Sequence, residues 1–172
     1  MSILGRPVIK EHLNWIRQNV GYIFQDPDDQ LFCPTVFEDV AFGLRQRKLP
    51  EQEVEQQCQT ILIELGIAHL AKRAPHELSQ GEKRKVCLAG VLVMKPEILV
   101  FDEPNTGLDH RGLKELVSIL NKIPATKIMA SHDHNFLKQT CQYVLVLDEG
   151  RVIQHGPWEG VESSIAFKEM FG

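Results

Sequence analysis

Apolar positions along this chain follow two spacings, and the switch between them marks the elements. Val20-Gly21-Tyr22-Ile23-Phe24 is a short apolar run that stops at the polar stretch Gln25 to Gln30, so it reads as a buried strand followed by a loop. Phe37 to Leu44 reads as a short helix. After Pro50, the residues Val54, Cys58, Ile61, Leu62 and Leu65 recur at helical spacing, and Gly66 ends the pattern. Residues 35–77 are therefore expected to form a mostly helical insert between two parts of a sheet. Ser79-Gln80-Gly81-Glu82 has the Ser-x-x-Glu pattern of a capping box, which predicts a helix running to about Met94, where Pro96 bars further extension.

Beyond Pro96 the spacing changes. Ile98-Leu99-Val100-Phe101, Lys127-Ile128-Met129-Ala130 and Tyr143-Val144-Leu145-Val146-Leu147 are continuous runs of the kind found in strands buried on both faces of a parallel sheet. Helical segments near Arg111–Asn121 and Asp133–Thr140 separate them. The alternation predicts an α/β fold with a parallel sheet flanked by helices and right-handed crossovers. Gly150 to Ile153 adds a hairpin strand, and Ser163 to Phe171 a last helix.

Length and composition narrow the picture. The chain has 172 residues, 43% hydrophobic and 24% charged, enough for a packed core. The formal net charge of −4 argues against a nucleic-acid binder, although the consecutive Lys83, Arg84 and Lys85 leave room for a local basic patch. Cys33, Cys58, Cys87 and Cys141 form no C-x-x-C pair, so free thiols in a reducing compartment are expected rather than a disulfide framework or zinc site. No run reaches the ~18 apolar residues that span a bilayer. A soluble chain is expected, one able to dock on a membrane partner.

Chemistry concentrates at the ends of the predicted strands. Asp102 and Glu103 stand at the carboxyl end of the strand Ile98–Phe101, which is where parallel α/β sheets bind ligands. Asp102 there can hold magnesium beside nucleotide phosphates, and Glu103 can act as a general base on water. The plainer reading is that two carboxylates end a strand at the surface. At Ser79 to Glu82, a helix N-terminus offers unpaired amides, and Gly81 permits close approach by a phosphate. Helix capping accounts for the same residues without a ligand. His132 follows the strand Ile128–Ala130, where it can contact a terminal phosphate or simply lie beside a helix start capped by Ser131 or Asp133. Gln25 can coordinate magnesium or orient water, or be an ordinary loop residue. Asp109 can cap the next helix or reach across a subunit interface.

In their order and spacing these segments resemble the ABC-type ATPases, from about Gly5 to Pro157. Leu78-Ser79-Gln80-Gly81-Glu82 resembles the signature motif of that family. Val100-Phe101-Asp102-Glu103-Pro104 resembles its Walker B strand with the catalytic glutamate, Gly107-Leu108-Asp109 the D-loop, His132 the switch histidine and Gln25 the Q-loop. Phe24 to Phe32, with Pro34-Thr35-Val36 and Glu38 to Gly43, is similar to the ATPases of energy-coupling factor importers, which include cobalt and nickel uptake systems. The resemblance implies a P-loop NTPase-like fold, ATP and Mg2+ as cofactors, and catalytic roles for Glu103 and His132. It places magnesium near Gln25 and Asp102, and nucleotide contacts at Ser79, Gln80, Gly81, Glu82 and Asp109. It also implies a second ATPase subunit whose nucleotide meets Ser79 in trans, a transmembrane transporter subunit, and a place at the cytoplasmic face of the cell membrane.

The chain departs from the family pattern at several points. Gln80 stands where glycine is frequent, Glu82 where glutamine is, and Asn105 where threonine or serine is. No G-x-x-x-x-G-K-[S/T] phosphate loop occurs in the sequence. By that pattern the chain looks truncated at its N-terminus, and it is expected to have little ATPase activity alone and to expose strand edges. Two other readings follow: a non-catalytic remnant that binds a partner, and a non-transport ABC-type ATPase. The second fits poorly, because the interval between Gln25 and Ser79 is short and shows no sustained heptads.

Overall fold

The structure is a computed structural model that describes residues 1–164 and Phe167. The chain divides into two compact units, Met1–His132 and Asp133–Gly172.

The first unit opens with a small antiparallel ribbon, β1 (Ser2–Ile3) with β2 (Arg6–Pro7), and a short helix α1 (Leu13–Asn19) that leads into β3 (Val20–Ile23). Two helices follow, α2 (Val36–Gln46) and α3 (Glu51–Glu64), with short 3-10 turns at Ala68–Leu70 and Pro75–Glu77. Thr35 caps α2 by accepting from the Glu38 N–H at 3.3 Å. The signature segment starts α4 (Gln80–Leu92), then come β4 (Ile98–Asp102), α5 (His110–Lys122) and β5 (Thr126–Ala130).

β3, β4 and β5 form a parallel three-stranded sheet in that order. The register pairs Ile23 with Phe101 and Phe101 with Met129, and on the opposite face Tyr22 with Val100 and Val100 with Ile128. Only the first face is a core: Ile23, Leu99 and Phe101 are buried, whereas Tyr22 and Ile128 are 42% and 55% exposed. The expectation of burial on both faces is thus corrected. An apolar run shows that a strand has hydrophobic side chains, not that each face has something packed on it.

β3 lies close against α4. A Cβ on Gly21 would stand 2.2 Å from Val91 Cγ1 and 3.0 Å from Leu99 Cδ2, so glycine is what lets strand and helix approach. Val86, Cys87, Leu88 and Ala89 of α4 are fully buried, and burial pushes the Cys87 thiol up to about 12. All four cysteines are free thiols. The consecutive Lys83, Arg84 and Lys85 form no basic patch. Lys83 and Arg84 are buried at 9% and 4% exposure, and Lys85 donates to Glu115 at 2.6 Å.

The second unit holds α6 (His134–Thr140), β6 (Tyr143–Asp148), β7 (Arg151–Pro157) and α7 (Trp158–Glu162). Here a second expectation is corrected. Among the described residues Tyr143–Leu147 joins no parallel sheet; β6 pairs antiparallel with β7 across Glu149 and Gly150, which have φ of 44° and 74°. Two successive positive-φ residues turn the chain straight back, which fixes a hairpin partner before any crossover can form. Most of the helix expected at Ser163–Phe171 lies outside the described residues.

Candidate functional site

The carboxyl ends of β3 and β4 lie side by side, because Ile23 pairs with Phe101. Each strand then runs off into chemistry: Gln25 two residues beyond Ile23, Asp102 and Glu103 directly after Phe101. The Glu103 N–H donates to the Ala130 carbonyl at 2.9 Å, which carries the β4–β5 pairing one step past the strand and brings Ser131 and His132 to the same edge.

Glu103 is the best-anchored of these groups. Its Oε1 accepts from the His132 backbone N–H at 3.1 Å and lies 3.0 Å from His132 Nδ1, while Ser131 Oγ stands 3.2 Å from its Oε2. The backbone of Glu103 sits at φ 42°, in the left-handed region that a residue with a Cβ rarely adopts. The carboxylate is 21% exposed, whereas the His132 ring is 80% exposed. Ser131 Oγ also lies 2.8 Å from Asn105 Oδ1. One hydroxyl carries one proton, so Glu103 and Asn105 compete for it. Asn105, which departs from the family pattern, thus touches the candidate base through Ser131.

Asp102 stands beside this corner and accepts from the Tyr22 hydroxyl at 3.3 Å. Desolvation first, then the Asp102 carboxylate, raises the Tyr22 pKa above its ordinary value. Gln25 is exposed. Asp102 carboxylate and Gln25 amide oxygens are hard donors of the sort magnesium takes. Among the described residues no three His, Cys, Asp or Glu side chains form a metal cage.

The signature turn is a different kind of place. Ser79 and Gln80 are exposed, and a Cβ on Gly81 would meet nothing within 4 Å, so this helix start opens outward. The capping box is fully made. Glu82 N–H donates to Ser79 Oγ at 3.4 Å, while Ser79 N–H and Oγ–H donate to Glu82 Oε2 at 2.8 and 2.7 Å. Those donors hold Glu82 below the usual carboxylate range, the side-chain bond from Ser79 first and its backbone bond second. Asp109 caps α5, accepting from Gly112 N–H at 2.7 Å. Asp133, not Ser131, caps α6, accepting from Phe136 N–H at 3.0 Å.

Sequence reasoning missed Ser131 and Asn105 as partners of Glu103, and it missed the role of Arg84. The Arg84 guanidinium donates to the Phe24 and Gln25 carbonyls at 2.9 Å each and to the Thr106 carbonyl at 3.2 Å. A signal for Ser131 was present in its place between strand and histidine. None announced that Arg84 would turn inward.

Known proteins resemble this chain in sequence and in fold. The model of the ABC transporter family matches residues 1–106. A putative ABC transporter ATP-binding protein of Geobacter sulfurreducens is 48% identical over 151 residues, covering 88% of this chain and 61% of that protein. An energy-coupling factor transporter ATP-binding protein of Methanoculleus marisnigri is 41% identical, covering 92% of this chain and 59% of its own length. This chain therefore spans about three fifths of these two relatives. Among solved structures, cbiO1 of Clostridium perfringens, described as part of the ABC transporter complex cbiONQ, superposes with a TM-score of 0.83 at 39% identity, covering 98% of this chain and 68% of that one. Family model, relatives and superposition converge on one assignment: the chain belongs to the ABC transporter ATP-binding proteins, close to the energy-coupling factor ATPases.

Proposed function

We propose that this chain supplies the hydrolytic side of an ATP-driven importer subunit for metal ions or vitamins, acting at the cytoplasmic face of a membrane. The Glu103 corner carries the reading: a carboxylate at a strand's end, fixed by His132 and Ser131, with Asp102 and the Gln25 loop beside it.

Each residue has a task there. Glu103 orients a water molecule and accepts its proton at a carboxylate oxygen; general bases of this kind contribute about 10²–10⁴-fold. His132 is held by Glu103 on its Nδ1 side and presents an exposed ring toward the terminal phosphate. Asp102 and Gln25 would hold a magnesium ion, which would supply positive charge to offset that of the phosphates. Ser79 and Gly81 face away from their own chain and meet nucleotide carried by a second ATPase subunit, whose phosphates suit the positive end of α4. The likeness to a protein described as part of a transporter complex supports a transmembrane partner. Among the described residues no helix is long and apolar enough to cross a membrane.

The 172 residues include no phosphate loop. By themselves they are expected to bind ATP weakly and turn it over little. The test uses the protein in its native transporter assembly, with phosphate release measured in Mg2+ and ATP. Turnover abolished by Glu103→Gln supports the reading. Turnover indifferent to that change would refute it, and no turnover at all would favour a partner-binding role instead.

A further inference from the structure

Two consecutive basic side chains of α4 are buried, and both reach back to the Gln25 loop. Lys83 Nζ donates to Asp28 Oδ1 at 2.6 Å. Arg84, 4% exposed, spreads its guanidinium over the Phe24, Gln25 and Thr106 carbonyls and makes no ion pair among the described residues. Its Nε is buried without a partner. Neighbouring contacts run the same way: Gln30 Nε2 donates to the Cys87 carbonyl at 3.1 Å and Gln30 Oε1 accepts from Phe24 N–H at 3.3 Å.

Burying a guanidinium that forms no ion pair is costly, and methionine or leucine would fill the space more cheaply. What the guanidinium adds is geometry. A planar fork of fixed width holds carbonyls from separate segments at set positions, which a single ammonium nitrogen cannot do. The segments it joins are the two that flank the Glu103 corner. Phe24 and Gln25 lead out of β3, and Thr106 lies between Glu103 and Asp109. The helix that carries the fork begins at the signature turn, only a few residues away.

We infer that Arg84 is a positioning residue: it locks the Gln25 loop and the Thr106 turn to the start of α4, so that either loop moves together with Ser79. This couples the side of the domain that handles its own nucleotide to the side that meets a second subunit. The consequence for turnover rests on the function proposed above; the mechanical link does not.

The link is tested by hydrogen exchange on the 172-residue chain with Arg84→Lys and Arg84→Gln. Both are expected to speed exchange about tenfold, as for one lost charge-assisted hydrogen bond, in residues 22–30 and 103–109 together, with β4 and the middle of α4 unchanged. Asp28→Ala, which removes the acceptor of Lys83 and leaves Arg84 untouched, is expected to loosen residues 26–30 and leave 103–109 alone. Exchange at wild-type rates in either segment of the Arg84 variants overturns the inference. So does unfolding of the whole chain in both variants, which would make Arg84 ordinary core. In the native transporter assembly, Arg84→Lys is expected to lower kcat for ATP roughly ten- to a hundredfold, the scale of a small misplacement of reacting groups, with KM little changed. A rise in KM at constant kcat also overturns it. Absence of wild-type turnover would sink the proposed function alone, and the exchange result would still decide the link.

Discussion

The Glu103 corner and the Ser79 turn both display a serine and a glutamate in contact, yet they are built for opposite ends. At the corner, Glu103 reaches across the sheet edge to Ser131 and His132, and its backbone is held at a positive φ. Such strain costs about 1–3 kcal/mol and persists only where surrounding structure over-determines it. At the turn, Ser79 and Glu82 close a local capping box that any helix could use, on an open surface. One site spends stability to aim a carboxylate; the other gains stability while leaving open space at Gly81. A complete local arrangement beside an open surface fits a site finished by another molecule, whereas a strained long-range arrangement fits one that does its own chemistry.

Glu103→Gln tests this contrast most severely. It keeps the shape and an acceptor for His132 but removes the proposed base, so turnover in the native assembly is expected to fall about 10²–10⁴-fold with thermal stability near wild type. A large drop in melting temperature would instead make the corner a structural anchor. Ser131→Ala comes next. It removes the hydroxyl proton that stands between Glu103 Oε2 and Asn105, and is expected to cost about 1 kcal/mol of stability and to reduce turnover, with Ser131→Thr restoring both. Ser79→Ala acts on the other region: loss of the cap is expected to destabilise α4 by about 1 kcal/mol, measured by denaturant unfolding, in the chain without any nucleotide. Were Ser79→Ala silent for stability and Glu103→Gln not, the contrast would be reversed.

How far the sequence foretold these sites depends on how local each contact is. The capping box was legible because Ser79 and Glu82 are three residues apart and the pattern is its own explanation. β4 and its terminal carboxylates were legible because Ile98–Phe101 is an unbroken apolar run. The partner of β6 was not, since the same kind of run serves a parallel strand or a hairpin, and the two positive φ values at Glu149 and Gly150 decided it. Arg84 was least legible. A Lys-Arg-Lys run ordinarily marks a solvated surface, and the acceptors that draw Arg84 inward are backbone carbonyls, which leave no trace in residue types.

The smallest expected effect concerns pH and bears on what Glu82 is for. Ser79 donates to Glu82 twice, and this holds the Glu82 pKa below its ordinary value of about 4.3. A group whose folded pKa is depressed binds its proton more readily when unfolded. Its stabilising contribution is therefore present above the ordinary carboxylate value and is lost as pH falls through the folded value. The start of α4 should loosen in acid, below about pH 4.3, and stay indifferent to pH above it. The change is small, since water screens so exposed a group. Glu82→Gln keeps an acceptor for the capping box and removes the titration. Its unfolding curve, followed from pH 6 down to pH 3, should therefore be flatter than wild type on the acid side, with little difference at neutral pH. An identical acid slope in the variant would mean that the carboxylate adds no charge-dependent hold on Ser79. Glu82 could then no longer be separated from Glu103 by its use of charge for capping rather than for chemistry.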